Sequence, residues 1–182
     1  KSKRWGKYPA EDLVRFITKN FQKTKKKSKI NILEIGCGPG GNLCYFAKEG
    51  FSIYGLDFSK VAIQKAKITL DREYPNWKGK LINADIMSFN LSKNKFDAII
   101  DNEVSCCLSI DQTIELYQRL SKSLKKKGKV FLRSFSTNSF GYKTGRKIDY
   151  NRYLPLVGAI NMGPQRFSSS GDVNKIFKKN YK

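Results

Sequence analysis

ILEIGCGPGGNL, residues Ile32 to Leu43, is the stretch on which the reading of this chain turns. An apolar run from Ile30 to Ile35 ends in glycines at Gly36, Gly38, Gly40 and Gly41. A helical pattern follows, with Leu43, Phe46 and Ala47 on one face. The stretch therefore predicts a strand, a tight glycine turn and a helix. Glycines let the backbone turn sharply and approach a ligand closely. The helix start points unpaired N–H groups at whatever sits there.

The same alternation continues outward. Upstream, Pro9 suits the first turn of a helix that carries Leu13, Val14, Phe16, Ile17 and Phe21 at helical spacing. Trp5 and Tyr8 precede it, as an arm packed on the surface or as a flap over the ligand. Downstream, Gly50 ends the helix that follows the turn. Strands are predicted at Ser52–Leu56, Lys80–Ala84 and Phe96–Ile100, ending at Asp57, Asp85 and Asp101. Ser59 caps the helix after the first of these. Asp111 is the expected cap of a helix bearing Ile114, Tyr117, Leu120 and Leu124, closed by Lys125–Gly128, and a fifth strand runs Lys129–Phe135. The pattern weakens over Ser136–Ser170, and a last short helix is expected from Asp172 to about Lys179.

Strands and helices alternating at this spacing imply βαβ units. The expected fold is α/β: a Rossmann-like three-layer sandwich, a mainly parallel sheet with helices on both faces. Ligands of such sheets bind beyond the carboxyl ends of the strands. Here one end is glycine-rich and the next three carry carboxylates, which suits a polar ligand with hydroxyls or amines.

Composition narrows the classes. The chain has 182 residues and is 40% hydrophobic, enough for one globular domain. No apolar run reaches the ~20 residues of a membrane span. Histidine is absent, which removes histidine bases and the usual nucleophile triads and argues against a transition-metal site, so no metal is expected. Cys37, Cys44, Cys106 and Cys107 form no CxxC pair, and free thiols in a reducing cytoplasm is the reading. The net charge is +21, with 28 lysines and 8 arginines. Solvated lysine faces account for it; a nucleic acid or acidic protein is the other reading.

Gly36, Gly38 and Gly41 fit G-x-G-x-x-G, a weak dinucleotide signal. Glu34, two residues before the turn, would repel a pyrophosphate and favour a cationic amine or sulfonium. The fuller pattern E-x-G-x-G-x-G (Glu34, Gly36, Gly38, Gly40) resembles the first motif of class I S-adenosylmethionine-dependent methyltransferases. Four further segments are similar to that family in order: Gly55–Ser59, Asn83–Ile86, Phe96–Asp101 and Leu124–Phe131. The resemblance covers about residues 10–135 and leaves a nicotinamide dehydrogenase as a distant alternative.

The resemblance implies a site. Gly36, Cys37, Gly38 and Gly40 would pass the methionine part of S-adenosylmethionine, with Glu34 supporting the turn. Asp57 would accept from the ribose hydroxyls, Phe58 would pack on the adenine, and Asp85 would take its amino group under Ile86. Asn102 and Val104 would line the methionine and the methyl. Asp57 and Asp85 as plain turn formers, and Phe58 and Ile86 as ordinary core, are the competing readings. Asp97 reads as structural and Cys37 as a small filler.

Methyl transfer asks mainly for alignment. With no histidine, the candidates for a catalytic group near the fourth and fifth strands are Asp101, Glu103, Arg133, Tyr142 and Tyr150. Asp101-Asn102-Glu103-Val104 lacks the [DNS]-P-P-[YFW] of nucleic-acid amino-methylating members, and Cys106 and Cys107 lack the Pro-Cys of cytosine-C5 members. The segment looks like small-molecule and unassigned bacterial methyltransferases. A small-molecule acceptor is the first expectation, RNA or protein the second, and a non-catalytic cofactor-binding module the third. The whole chain, 1–182, reads as one methyltransferase domain: arm and helix over 1–29, cofactor core over 30–135, acceptor-side segment over 136–182. The family's closing antiparallel strands are expected to be missing, since the chain stops at Tyr181-Lys182 where they would begin.

Overall fold

The computed structural model describes residues 8–160, 162–178 and 181. Trp5 of the arm, and Lys179 and Lys182, lie outside them. The chain divides into two compact units, residues 1–100 with 124–131, and 101–123 with 132–182.

The first unit begins with α1 (Glu11–Phe21), which buries Leu13, Ile17 and Phe21. These recur every four residues, the stripe a helix needs to cover a core, and each contributes about 1.5–3 kcal/mol by burial. Then come β1 (Asn31–Ile35), α2 (Gly41–Lys48), β2 (Ser52–Asp57), α3 (Lys60–Glu73), β3 (Lys78–Asn83), β4 (Phe96–Asn102) and β5 (Leu124–Arg133), the last two strands running on into the second unit. The sheet order is β3-β2-β1-β4-β5. Parallel register pairs Asn31 with Ser52 through Ile35 with Leu56, and Ser52 with Lys78 through Asp57 with Asn83. Ile32, Leu33, Ile35, Ile53, Ala98, Ile99 and Ile100 are fully buried, as strands covered on both faces require. At the opposite end, Asp97 Oδ2 accepts from Asn31 N at 2.8 Å and Lys125 Nζ at 2.6 Å, a structural tie across the strand starts.

The expected strands are present, with shifted ends. The third starts at Lys78 and the fifth at Leu124. The turn expected in the lysine run survives as Lys127 at φ +66°.

In the second unit, α4 (Ile110–Ser123) is capped by Ser109 rather than Asp111. Ser109 Oγ accepts from Gln112 N at 3.2 Å, and Ser109 N donates to Gln112 Oε1 at 3.0 Å. This reciprocal box satisfies two backbone donors, and Asp111 adds charge in the first turn. Four short strands follow, β6 (Phe135–Ser136), β7 (Arg146–Asp149), β8 (Arg152–Leu154) and β9 (Gln165–Ser168), in the order β6-β9-β8-β7. The pairs β7/β8 and β8/β9 are antiparallel. The segment that sequence left without a pattern thus holds a minor second sheet. Its aromatic centre is Tyr142, Tyr153 and Phe167, with ring centroids 5.5–6.4 Å apart. The last helix, α5 (Ser170–Phe177), starts earlier than expected because Ser169 and Asp172 form its capping box. Among the described residues, no helix is long and apolar enough to cross a membrane.

Candidate functional site

The glycine turn after β1 uses its glycines for conformation. Gly36, Gly38 and Gly40 take φ of +57°, +53° and +88°, the left-handed region in which side chains are strained. A Cβ on Gly38 would meet open space, so this backbone is bare toward solvent. A Cβ on Gly40 would lie 3.0 Å from Ala66 Cβ, where α3 packs on the turn. Cys37 N donates to Leu56 O at 3.0 Å, binding the turn to the end of β2.

Glu34 stands behind that turn, 3% exposed. Its Oε1 accepts from Asn42 Nδ2 at 2.6 Å, and its buried Oε2 has no partner among the described residues. Burial pushes the carboxyl up to about 8; the Asn42 bond opposes this, and the Asp57 charge adds to it. Cys37, also buried, has its thiol pushed well above the usual range by burial, then by Glu34 and Asp57, which suits the filler role. Asn42 was not singled out from sequence. Its signal was a polar residue in the first turn of a helix whose other early position is apolar.

Asp57 ends β2. Its Oδ2 accepts from Gly38 N and its Oδ1 from Ser59 N, both at 2.8 Å. It is therefore the turn former of the competing reading. A carboxylate has about four lone-pair sites, so two remain for a diol. Asn83 Nδ2 donates to Asp57 O at 3.1 Å and Phe58 O at 2.8 Å, holding the end of β2 from the end of β3. Phe58 is 82% exposed and is not core. Ile86 is buried. Asp85 is exposed, and its Oδ1 accepts from Met87 N at 2.9 Å in the turn after β3. Parallel register thus brings Glu34, the glycines, Asp57, Phe58 and the β3 end to one edge of the first unit.

These residues fit the ligand that the resemblance implies. An orphaned buried carboxyl oxygen suits an amine, the spare lone pairs of Asp57 suit a diol, and an uncovered ring suits a planar base.

The acceptor-side candidates belong to the second unit. Asp101 is fully buried; Oδ1 accepts from Val104 N at 3.0 Å and Ser105 N at 3.2 Å, and Oδ2 from Tyr117 Oη at 2.8 Å. Burial raises its pKa against these bonds. Both oxygens serve the segment after β4, which leaves none presented to an acceptor. Glu103 takes φ +64°, and its carboxylate lies 3.2 Å from Arg133 Nε. Asn102 Oδ1 is buried without a partner among the described residues. Tyr142 Oη donates to Asn151 Oδ1 at 2.8 Å, and Tyr150 Oη to Asp172 Oδ1 at 3.1 Å. No group of three or more potential metal ligands occurs among the described residues.

Comparison with known proteins gives the following. A family described as a methyltransferase domain matches residues 32–128. The uncharacterized methyltransferase C750.03c of Schizosaccharomyces pombe is 35% identical over 118 residues, 62% of this chain and 77% of the relative. The PH0226 protein of Pyrococcus horikoshii OT3 aligns with TM-score 0.56 at 22% identity, over 66% of this chain and 50% of that one. A SAM-dependent methyltransferase of Methanosarcina mazei aligns with TM-score 0.67 at 14% identity, over 94% of this chain and 84% of that one. The two structural likenesses show a shared fold. This chain spans about half the length of the Pyrococcus protein.

Proposed function

The chain belongs to the methyltransferase domain family, with S-adenosylmethionine as cofactor, and on that premise we propose that it methylates a small-molecule acceptor by direct displacement. The observation that carries the cofactor half is Glu34 Oε2, buried and unpartnered behind a glycine turn that Asp57 also holds. The bound sulfonium supplies an activated methyl group with a good leaving group. In our assignment Glu34 faces the amine, the backbone of Gly36, Cys37, Gly38 and Gly40 passes the methionine, and Asp57 accepts from the ribose diol. Phe58 stacks on the adenine, whose edge Asp85 takes and which Ile86 covers. Asn102 and Val104 are kept as lining residues on the resemblance. With Asp101 spent on its own loop, Glu103, paired with Arg133, is the remaining carboxylate for a base.

The small-molecule reading rests on Asp101-Asn102-Glu103-Val104, which lacks the motifs of nucleic-acid members. The whole chain as one methyltransferase domain in the cytoplasm belongs to the same proposal. The net charge of +21 favours a second reading, an RNA or acidic protein acceptor held by the basic surface.

One experiment separates them. Calorimetry with S-adenosylmethionine is followed by a screen for S-adenosylhomocysteine release over small amines, alcohols and thiols, RNA fragments and acidic proteins. Turnover with small acceptors is the expected result. Turnover confined to RNA or protein, lost steeply with salt, selects the second reading. Cofactor binding with no release over any class overturns the enzyme reading in favour of a binding module.

A further inference from the structure

The vicinal thiols of Cys106 and Cys107 have no part in the assignment above. They sit in the turn Ser105–Cys107, directly after β4, in the second unit. Both sulfurs meet one buried amide. Cys106 Sγ donates to Gln165 Oε1 at 3.2 Å, Cys107 Sγ lies 3.9 Å from the same oxygen, and Gln165 Nε2 lies 3.6 Å from Cys107 Sγ. Gln165 is fully buried, and its Nε2 also donates to Met162 O at 2.9 Å. The Arg152 guanidinium donates to the Cys107 carbonyl at 3.0 Å. Cys106 is buried and Cys107 is exposed, so one sulfur faces solvent with the other behind it.

The electrostatics split the pair. The Cys106 hydrogen bond pulls the Cys107 thiol below the usual thiol range, helped by Gln165 and the Arg152 charge and opposed by burial and Asp101. The same bond, with burial, pushes Cys106 up. An exposed thiol drawn toward its thiolate, with a protonated thiol against it, is the arrangement that exchanges with disulfides, here with Arg152 already paired to Asp149.

We propose that Cys106 and Cys107 form a redox-active dithiol, oxidised by small organic disulfides to a Cys106–Cys107 disulfide. The Cys107 thiolate attacks one sulfur of the organic disulfide, forms a mixed disulfide and expels one thiolate. The Cys106 sulfur then attacks Cys107 Sγ, and its proton leaves with the second expelled thiol. The two cysteines lose two electrons, and the organic disulfide is reduced to two thiols. The product ring spans a single peptide bond. It is incompatible with the present turn, in which Cys107 N donates to Val104 O at 3.0 Å and Leu108 N to Ser105 O at 3.1 Å. Oxidation therefore reshapes the segment leading from Asn102 and Val104 into α4. That this lowers methyl transfer rests on the function proposed above.

The test treats the protein with oxidised glutathione at pH 7, alkylates it in denaturant, and maps peptides by mass. The expected product has lost two hydrogens and carries two alkylated thiols, Cys37 and Cys44, of the four. Cys106→Ser stops at glutathione on Cys107, and Cys107→Ser gives no oxidation at this pair. The rise of exchange at Cys107 with pH levels off below the pH of about 8.5 at which an ordinary thiol does. Four alkylatable thiols after treatment, bridging through Cys37 or Cys44, or a Cys107→Ser variant that oxidises like the parent would overturn the dithiol. Calorimetry with S-adenosylmethionine on reduced and oxidised protein reads the regulatory part separately. Equal affinity and turnover in both forms overturn the switch. A reduced protein that never binds the cofactor counts against the proposed function instead.

Discussion

Replacing Glu34 by Gln tests the electrostatics of the glycine turn. Burial holds this carboxyl at about 8 in the fold, against an ordinary 4.5. A carboxyl raised on folding keeps its proton in the native state while the unfolded chain has already lost it. Native stability therefore falls as pH rises from 4.5 to about 8, and levels beyond. At about 1.4 kcal/mol per pH unit, the full loss is roughly 5 kcal/mol, and at pH 7 roughly 3 kcal/mol. Glutamine has nearly the same shape, keeps an oxygen for the Asn42 bond, and cannot ionise. The assay is urea unfolding of the parent and Glu34→Gln from pH 4 to pH 9 without cofactor. The background of other titrating groups cancels in the difference. The variant should match the parent near pH 4, pull ahead from about pH 5, and reach a constant lead above pH 8. Parallel curves would show that Glu34 ionises normally and that the turn is wetter than its burial implies. A second arm adds S-adenosylmethionine near pH 7. A cation brought against Glu34 favours its charged form, so the parent should release up to about one proton on binding, measured by calorimetry in two buffers of different ionisation enthalpy. The glutamine variant should release none from this position.

Three further changes separate ligand contacts from scaffold. Phe58→Ala removes a ring that is 82% exposed, so stability should stay within about 0.5 kcal/mol while S-adenosylmethionine affinity falls about tenfold in calorimetry. Unchanged affinity would return Phe58 to the ordinary surface. Gly40→Ala puts a Cβ at φ +88° and 3.0 Å from Ala66 Cβ, which should cost roughly 1–3 kcal/mol and lower Tm by roughly 3–10 °C in a calorimetric scan. Tyr117→Phe leaves Asp101 Oδ2 buried without its 2.8 Å donor, a cost of about 1–3 kcal/mol in urea unfolding; an unchanged midpoint would mean that water replaces the hydroxyl.

The two units were unequally legible from sequence, and the reason is physical. The first unit builds its site from strand ends, and strands covered on both faces are written as apolar runs that stop abruptly. Glu34, Asp57 and Asp85 stood out because each follows or interrupts such a run, and parallel register aligned them without further information. Asn42 and Asn83 did not stand out, because their roles depend on what faces them: a carboxyl eight residues back, and two carbonyls at and just past the end of the neighbouring strand. Nothing in their spacing encodes a partner.

The second unit inverts the usual rule that polar residues mark surface. The strand Gln165–Ser168 reads as polar, yet all four residues are buried. Arg166 is 1% exposed and gives its hydrogen bonds to carbonyls and hydroxyls. Its Nε donates to Leu108 O at 3.2 Å, its Nη1 to Ser168 Oγ at 2.6 Å, and its Nη2 to Ser105 O at 3.2 Å and Thr113 Oγ1 at 2.9 Å. Burial lowers its pKa from the usual guanidinium range, but a guanidinium has five donors, and four acceptors here offset the lost water. Gln165 does the same for the vicinal thiols. These side chains hold the segment between β4 and α4 by hydrogen bonds rather than by apolar packing, so no hydrophobic period announces the strand. Strands of two to four residues joined at left-handed Lys143 and Asn151 are too short to show a period of two in any case. A core built from polar complementarity can be recognised only once its partners are known. The acceptor, whose recognition falls to this side of the chain by our proposal, was for that reason the least readable part of the sequence.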